Sequence, residues 1–93
     1  MKTLLLKFKK YGFTYVQVLR GKRSFVFEKK LTPEISYFEV FIRRVEPSVY
    51  ILGKFFDERE IFPRDEDFSK WAWCYSSLED ALKKFIELER GIY

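Results

Sequence analysis

The sequence predicts an α+β domain, in which a four- or five-stranded, mostly antiparallel sheet carries one C-terminal helix packed on one face. Short segments of alternating apolar and polar residues run through most of the chain, a pattern typical of strands. The last part instead carries the apolar stripe of an amphipathic helix. Only three prolines and four glycines interrupt the 93 residues. The connections are therefore short, and residues 1–93 form a single domain.

The first three strands are predicted at residues 2–9, 13–19 and 23–29. Tyr11-Gly12 ends the first strand. Gly21-Lys22 joins the other two, and glycine at the first central position favours a type II′ hairpin turn. That turn sets a register in which apolar pairs share one face of the sheet: Val16 opposite Phe27 and Val18 opposite Phe25.

Two more strands are predicted at residues 36–44 and 49–56, and a charged loop at residues 57–60. Along the first of them Phe38, Val40 and Ile42 point one way, and Tyr37, Glu39, Phe41 and Arg43 point the other. Residues 69–75 fit both helical and strand spacing. A short strand is favoured because a helix start signal follows directly, and residues 65–68 are expected to form a single turn.

The helix signal is a capping box made by Ser76 and Glu79. An apolar stripe follows at helical spacing, and Gly91 ends the helix. Its members are Leu78, Ala81, Leu82, Phe85 and Leu88. A helix of this length is marginal in water alone, so it must lie on the sheet. The side chains expected beneath it are Val16, Val18, Phe25, Phe27, Phe38, Val40 and Ile42.

Composition excludes several classes of site. The chain has no histidine and one cysteine, so a structural zinc site is excluded and the usual general base is missing. We predict no enzymatic activity and no cofactor. The acidic run Asp65-Glu66-Asp67 fits either a divalent-metal site or a solvated turn; it matches no calcium-loop spacing, and no metal is predicted. An enzyme would need paired carboxylates at a spacing that the sequence does not show.

The setting predicted for the chain is cytoplasmic. Cys74 cannot form an intrachain disulfide, and we interpret it as a small, partly buried residue. The opening segment has too few consecutive leucines for a signal peptide. No apolar run approaches the length of a membrane span, so no membrane partner is expected.

Charge and aromatic content indicate a binding protein. Residues 1–46 carry eleven Lys and Arg against four Asp and Glu, which gives +7. Residues 47–93 carry seven against ten, which gives −3. One interpretation is a basic surface for a phosphate-bearing partner; the other is that strands and helix differ in composition without any binding role.

The sheet face away from the helix is the candidate site. Rings and cations interleaved on a sheet suit single-stranded nucleic acid, because rings stack on bases and cations meet phosphates. The predicted nucleic-acid-binding residues are Tyr15, Arg20, Lys22, Arg23, Tyr37, Phe41 and Arg43. The alternative is that residues 53–68 or a second subunit cover this face. The chain is then a protein–protein interaction module: a phage-type accessory factor, an inhibitor or a homodimer.

Trp71 and Trp73 leave two interpretations open. They form a stacking platform for bases or sugars, or at least one of them wedges between the helix and the sheet. The sequence favours the wedge.

Two resemblances add to this. Three segments resemble a group of short uncharacterised bacterial and phage proteins without settled function, which implies a mobile-element context. They read YFEVF (37–41), FPRDEDFSKWAW (62–73) and SLEDALKKF (77–85). The order strand, turn, strand and then the helix LEDALKKF (78–85) is also similar to WGR domains, which contact nucleic acid. Leu52-Gly53-Lys54 stands where those domains have Trp-Gly-Arg, so the tryptophan is missing.

Overall fold

A five-stranded antiparallel sheet with one helix across it forms the body of the protein, as the sequence predicts. The structure, a computed structural model, describes residues 1–91. The strands within this part of the chain are β1 (Lys7–Lys10), β2 (Phe13–Arg20), β3 (Ser24–Lys30), β4 (Ser36–Ile42), β5 (Val45–Glu46), β6 (Val49–Ile51), β7 (Lys54–Phe56), β8 (Arg59–Glu60) and β9 (Ala72–Tyr75). The helix is α1 (Leu78–Glu89). The main sheet has the order β1-β2-β3-β4-β9, and every neighbouring pair is antiparallel.

The turn between β2 and β3 lies one residue later than predicted. The Gly21 amide donates to the Ser24 carbonyl, which centres the turn on Lys22 and Arg23. A β-bulge between Gln17 and Leu19 then shifts the register again. At the turn itself, the Glu89 carboxylate accepts hydrogen bonds from the Lys22 and Arg23 amides at 2.8 and 2.9 Å. A Cβ at position 21 would overlap this carboxylate, so a larger residue there would displace the Glu89 side chain from the turn.

The bulge changes the β2–β3 register by one residue, so the faces of β3 are reversed relative to the prediction. Phe25 lies opposite Phe41, and Val26 lies opposite Val40. The prediction that Phe25 and Phe27 lie beneath the helix is therefore wrong, since both belong to the core on the other face. Val16 and Val18 belong to neither core. Phe38 and Val40 do pack on the helix side, and Ile42 contacts both cores.

The helix layer is built by Val26, Val40, Ala81 and Leu88, all fully buried. The helix begins one residue later than expected, because the Ser77 hydroxyl, not that of Ser76, accepts the Asp80 amide. Gly91 has a φ of 75° and follows the C-cap, as predicted. The short strand predicted within residues 69–75 is confirmed as β9.

The opposite face of the sheet is covered by the chain itself. The ring of Phe62 stands edge-on to Phe8, Tyr15, Phe27 and Phe41, with ring centroids 5.0 to 5.3 Å apart. Ile61, Phe68 and Trp71 complete this cover. The alternative in which residues 53–68 cover the face is therefore confirmed for Phe62 and Phe68. Trp71 is buried in the core on the face away from the helix, so it is not the predicted wedge between helix and sheet. Trp73, half-buried on the helix side, is the tryptophan that fits the wedge interpretation.

Two small antiparallel pairs lie outside the main sheet. The pair β5–β8 includes residues that the sequence assigns to a loop. The predicted strand 49–56 is instead a hairpin, β6–β7, that turns at Leu52 and Gly53. The first predicted strand is also shorter than expected, because β1 begins at Lys7. Within residues 1–91, no helix has the length and apolar character needed to span a bilayer.

Candidate functional site

The predicted nucleic-acid site does not assemble as one surface. Tyr15 is 5% exposed and Phe41 is fully buried, so the prediction that both rings face outward is wrong. The physical reason is the ring of Phe62, which stands edge-on to Tyr15 and Phe41 and covers them. Burial is also the main cause that raises the pKa of Tyr15 to about 12, with Glu39 adding to it.

Arg20 and Arg43, two further predicted phosphate ligands, are bound to Glu60. Arg20 donates through both terminal nitrogens at 2.8 and 2.6 Å, and Arg43 donates through Nε at 2.7 Å. The Leu4 amide adds a fourth hydrogen bond at 3.0 Å. Burial alone would raise the pKa of the Glu60 carboxyl, but these donors outweigh burial and lower it from 4.5 to about 2. This cluster joins the N-terminal segment to the sheet and has a structural role.

The other predicted ligands are exposed but far apart. Lys22 and Arg23 lie at the β2–β3 turn. Tyr37 is opposite Lys29, toward the other end of the same strands. The seven predicted residues are therefore split between a core, an ion-pair cluster and two ends of the sheet.

One exposed region was missed by the sequence-based prediction. In the apolar hairpin (residues 49–56) every residue of both strands is exposed. Tyr50 is 72% exposed, and Leu52 at the tip is 102% exposed. The available signal was Leu52-Gly53 between two apolar runs, since glycine at a two-residue turn marks a hairpin. An exposed apolar patch of this kind on a small domain usually marks an interaction site.

The arginine cleft is a second open region. Arg44, Arg59 and Arg64 line a cavity of about 560 Å³ together with Trp71. The Arg44 guanidinium lies over the Trp71 ring at 4.8 Å from its centroid. Arg59 pairs with Glu46 at 3.4 Å and Arg64 with Glu66 at 3.2 Å. No carboxylate among residues 1–91 lies within ion-pair distance of Arg44, so this cation is the one free to meet an anion.

A third region, the Glu39 pocket, lies where the sheet face is left open beside the Phe62 cover. It has a volume of about 180 Å³ and is lined by aromatic rings, two lysines and two acids. Its members are Lys10, Tyr11, Phe13, Tyr15, Lys29, Glu39, Phe62, Pro63, Asp65 and Phe68. Glu39 is only 5% exposed, and its Oε1 has no hydrogen-bond partner within residues 1–91. Burial raises the pKa of Glu39, while Lys29 and Lys10 partly oppose the shift.

The remaining sequence candidates carry no chemistry. The acidic run forms a 3-10 turn, Asp65–Asp67, where Asp67 accepts from the Arg64 amide at 2.9 Å. No group of three or more acids and cysteines within residues 1–91 could hold a metal ion. Cys74 is exposed on strand β9, so the interpretation of it as partly buried is wrong. Desolvation of the thiol raises its pKa, which is the opposite of what an activated nucleophile needs.

Comparisons with known proteins add no constraint to this geometry. No protein-family model matches the sequence, no curated protein matches it, and no solved structure matches its fold. The resemblances to short phage proteins and to WGR domains stay predictions.

Proposed function

We propose that this chain is a non-enzymatic protein–protein interaction module and that the apolar hairpin is its docking element. The observation that carries the proposal is the exposure of this hairpin in a domain that otherwise buries its aromatics well. Val49, Phe55 and Phe56 remain exposed on strands that contact no second layer. A two-stranded hairpin without a covering layer is marginally stable in water, so a partner that covers it stabilises both.

The partner that the hairpin fits is a second copy of this chain. Strands β6 and β7 pair only with each other within residues 1–91, so each leaves one edge of backbone donors and acceptors unused. Antiparallel pairing of identical edges obeys a two-fold axis, the commonest symmetry of oligomers. Lys54 is the only charged residue of the hairpin, so little like-charge repulsion opposes this contact.

The tip of the hairpin supports a binding role. Leu52 and Gly53 have φ angles of 51° and 77°, the left-handed pair that a type I′ turn requires. A leucine in this conformation costs about 1 kcal/mol or more, and asparagine or glycine would avoid the cost. Since Leu52 contributes no burial to its own chain, its side chain is explained by contact with a partner.

Sedimentation equilibrium over a range of concentrations tests the proposal with a matched pair of variants. Ile51 in the hairpin and Ile35 in the β3–β4 connection are both 53% exposed. We expect Ile51→Ser to weaken the dimer by about tenfold or more, equal to roughly 1.4 kcal/mol, and Ile35→Ser to leave it unchanged. Leu52→Gly should weaken the dimer, because it removes the exposed side chain. It should also raise the thermal stability of the monomer, because glycine adopts a positive φ without the cost that leucine has.

Two results would overturn the proposal of a dimer formed through the apolar hairpin. One is a monomer at concentrations up to about 1 mM, where even a weak interface of this kind would be populated. The other is a dimer that Ile51→Ser and Ile35→Ser affect equally, which would place the interface elsewhere.

A second candidate function, nucleic-acid binding, is favoured by the arginine cleft. Arg44 is stacked on Trp71 and lacks an acidic partner within the described residues, and an arginine held in this way suits a phosphate or a base. Fluorescence anisotropy with single-stranded DNA and RNA at low salt should show binding that falls steeply as salt rises. Arg44→Ala should weaken nucleic-acid binding more than the control Lys83→Ala, which changes a lysine on the exposed side of the helix. Equal effects of the two variants would show that the arginine cleft is not the binding site.

A further inference from the structure

Glu39 is a buried acid with one oxygen, Oε1, that accepts no hydrogen bond from residues 1–91. It lies in the middle of β4, flanked on the same face by Tyr37 and Phe41 and facing Phe27 across the strand pair. Buried carboxylate oxygens nearly always accept a hydrogen bond. A buried oxygen that has lost its hydrogen bonds to water and gained none in the protein destabilises the fold. An acid in this position is explained if a ligand supplies the missing donor.

The pocket around Glu39 has three chemically distinct zones. Glu39 is the acceptor. The rings of Phe13, Tyr15, Phe62 and Phe68 form apolar walls. Lys29 Nζ lies 4.6 Å from the Phe13 centroid and 5.8 Å from that of Tyr15, and Lys10 Nζ lies 5.6 Å from that of Phe62. Two ammonium groups therefore stand against the faces of the wall rings.

These zones define the ligand. The walls suit a planar ring, and the carboxylate requires N–H donors on the edge of that ring. The two lysines require an acceptor or an anionic group on the same molecule, and they disfavour a simple amine or a metal cation. A volume of about 180 Å³ is below the roughly 300–1,000 Å³ of pockets for drug-sized ligands, so one ring system fills it.

We propose that the Glu39 pocket binds the guanine base of a nucleotide. Guanine carries two adjacent N–H donors on its Watson–Crick edge, at N1 and N2, which a carboxylate accepts as a pair. Its O6 is an acceptor for a lysine, and its phosphate is a second anionic group for the other. Adenine has an acceptor at N1, cytosine has one at N3, and the single N–H of uracil lies between two carbonyls. None of these offers the donor pair.

The base has two possible sources, a free nucleotide or a single strand of nucleic acid. Both present the same edge to Glu39, and they differ in what lies outside the pocket. The pocket shares no residue with the apolar hairpin, so this inference goes beyond the proposed protein–protein function and stands or falls separately.

Isothermal titration calorimetry tests the inference with GMP, guanosine and AMP as probes. We expect GMP to bind at least about tenfold more tightly than AMP, the discrimination typical of a bidentate contact to a base edge. Guanosine should bind more weakly than GMP, because it lacks the phosphate that the lysines would meet. A trinucleotide with guanine between two thymines, compared with its adenine counterpart, distinguishes a strand from a free nucleotide as the source.

Glu39→Gln provides the matched variant. It keeps the size of the side chain, removes one acceptor, and should abolish the preference for GMP over AMP without unfolding the chain. Glu34→Gln, at an exposed position in the β3–β4 connection, should bind GMP like the unmodified protein. Lys29→Ala should weaken GMP more than guanosine, because only GMP carries the phosphate.

Three outcomes would overturn the inference. These are no heat from GMP at millimolar concentration, equal binding of GMP and AMP, and an unchanged preference in Glu39→Gln. A circular dichroism melt of each variant shows that it is folded. Dimerisation is measured on the same samples, so failure here is distinguished from failure of the hairpin proposal.

Discussion

Two buried carboxylates, Glu60 and Glu39, are equally hidden from solvent and behave in opposite ways. Each is 5% exposed. Glu60 accepts hydrogen bonds from Arg20, Arg43 and the Leu4 amide, and its pKa falls to about 2. Glu39 has an oxygen without a partner among the described residues, and burial raises its pKa. Burial alone therefore does not decide the charge of an acid in this protein; the donors that reach it do.

The contrast also separates structure from function. The Glu60 cluster joins the N-terminal segment, β2 and the residue that follows β4, so every donor it uses belongs to the protein. The Glu39 pocket has its cations against aromatic rings and not against the carboxylate. The first arrangement is complete without a ligand. The Glu39 pocket leaves a carboxylate oxygen for a ligand to bind. Three measurements test the difference between the two carboxylates.

The largest effect is expected from Glu60→Gln. The change leaves Arg20 and Arg43 without a counter-charge, and because both guanidinium groups stay partly solvated we expect a loss of about 2–3 kcal/mol, below that of a fully buried pair. Urea denaturation at pH 7 measures the loss. Glu46→Gln is the control, because its pair with Arg59 is exposed and is worth less than about 1 kcal/mol. Equal losses of unfolding free energy in the two variants would show that the Glu60 cluster does not stabilise the fold more than an exposed ion pair does.

Acid should weaken the fold through the same cluster. The folded pKa of Glu60 lies below its unfolded value of 4.5, so its contribution is complete above that value and is lost as the pH falls toward 2. The difference between the two pKa values corresponds to about 3 kcal/mol. Denaturation measured from pH 7 to pH 2 should show a steeper loss in the unmodified protein than in Glu60→Gln. Parallel curves would contradict the assignment.

The smallest effect, and one of opposite sign, is expected from Glu39→Gln. Replacing a buried, incompletely bonded acid by a neutral side chain of the same size should stabilise the fold by about 1 kcal/mol at pH 7. The folded pKa of Glu39 is raised, so its contribution to stability is complete below 4.5 and is lost as the pH rises. The gain from the variant should therefore be small near pH 4 and grow toward neutral pH. Thermal melts over this range measure it, and a destabilised variant would show that Glu39 has a partner after all.

Local patterns predicted much of the fold and little of the candidate site. The apolar stripe from Leu78 to Leu88 predicted the helix, and alternation along residues 36–42 predicted the two faces of β4. Phe62 lay within the range 53–68 that the sequence offered as one possible cover of the face away from the helix, but nothing in its neighbours singled it out. Glu39 was correctly placed on the face away from the helix. Its burial depends on that cover, so the sequence predicted the direction of the side chain and not its surroundings.

Composition and periodicity alone lead to the α+β class, the single domain and the C-terminal helix. Only the tertiary structure decided which residues of β3 face the helix. That choice depends on the β-bulge between Gln17 and Leu19, which moves the pairing of β2 with β3 by one residue. A register shift of one residue between paired strands exchanges the two faces of a strand. The tertiary structure alone therefore decided that the basic aromatic face is filled by Phe62, and that the open surfaces are a hairpin, a cleft and a pocket.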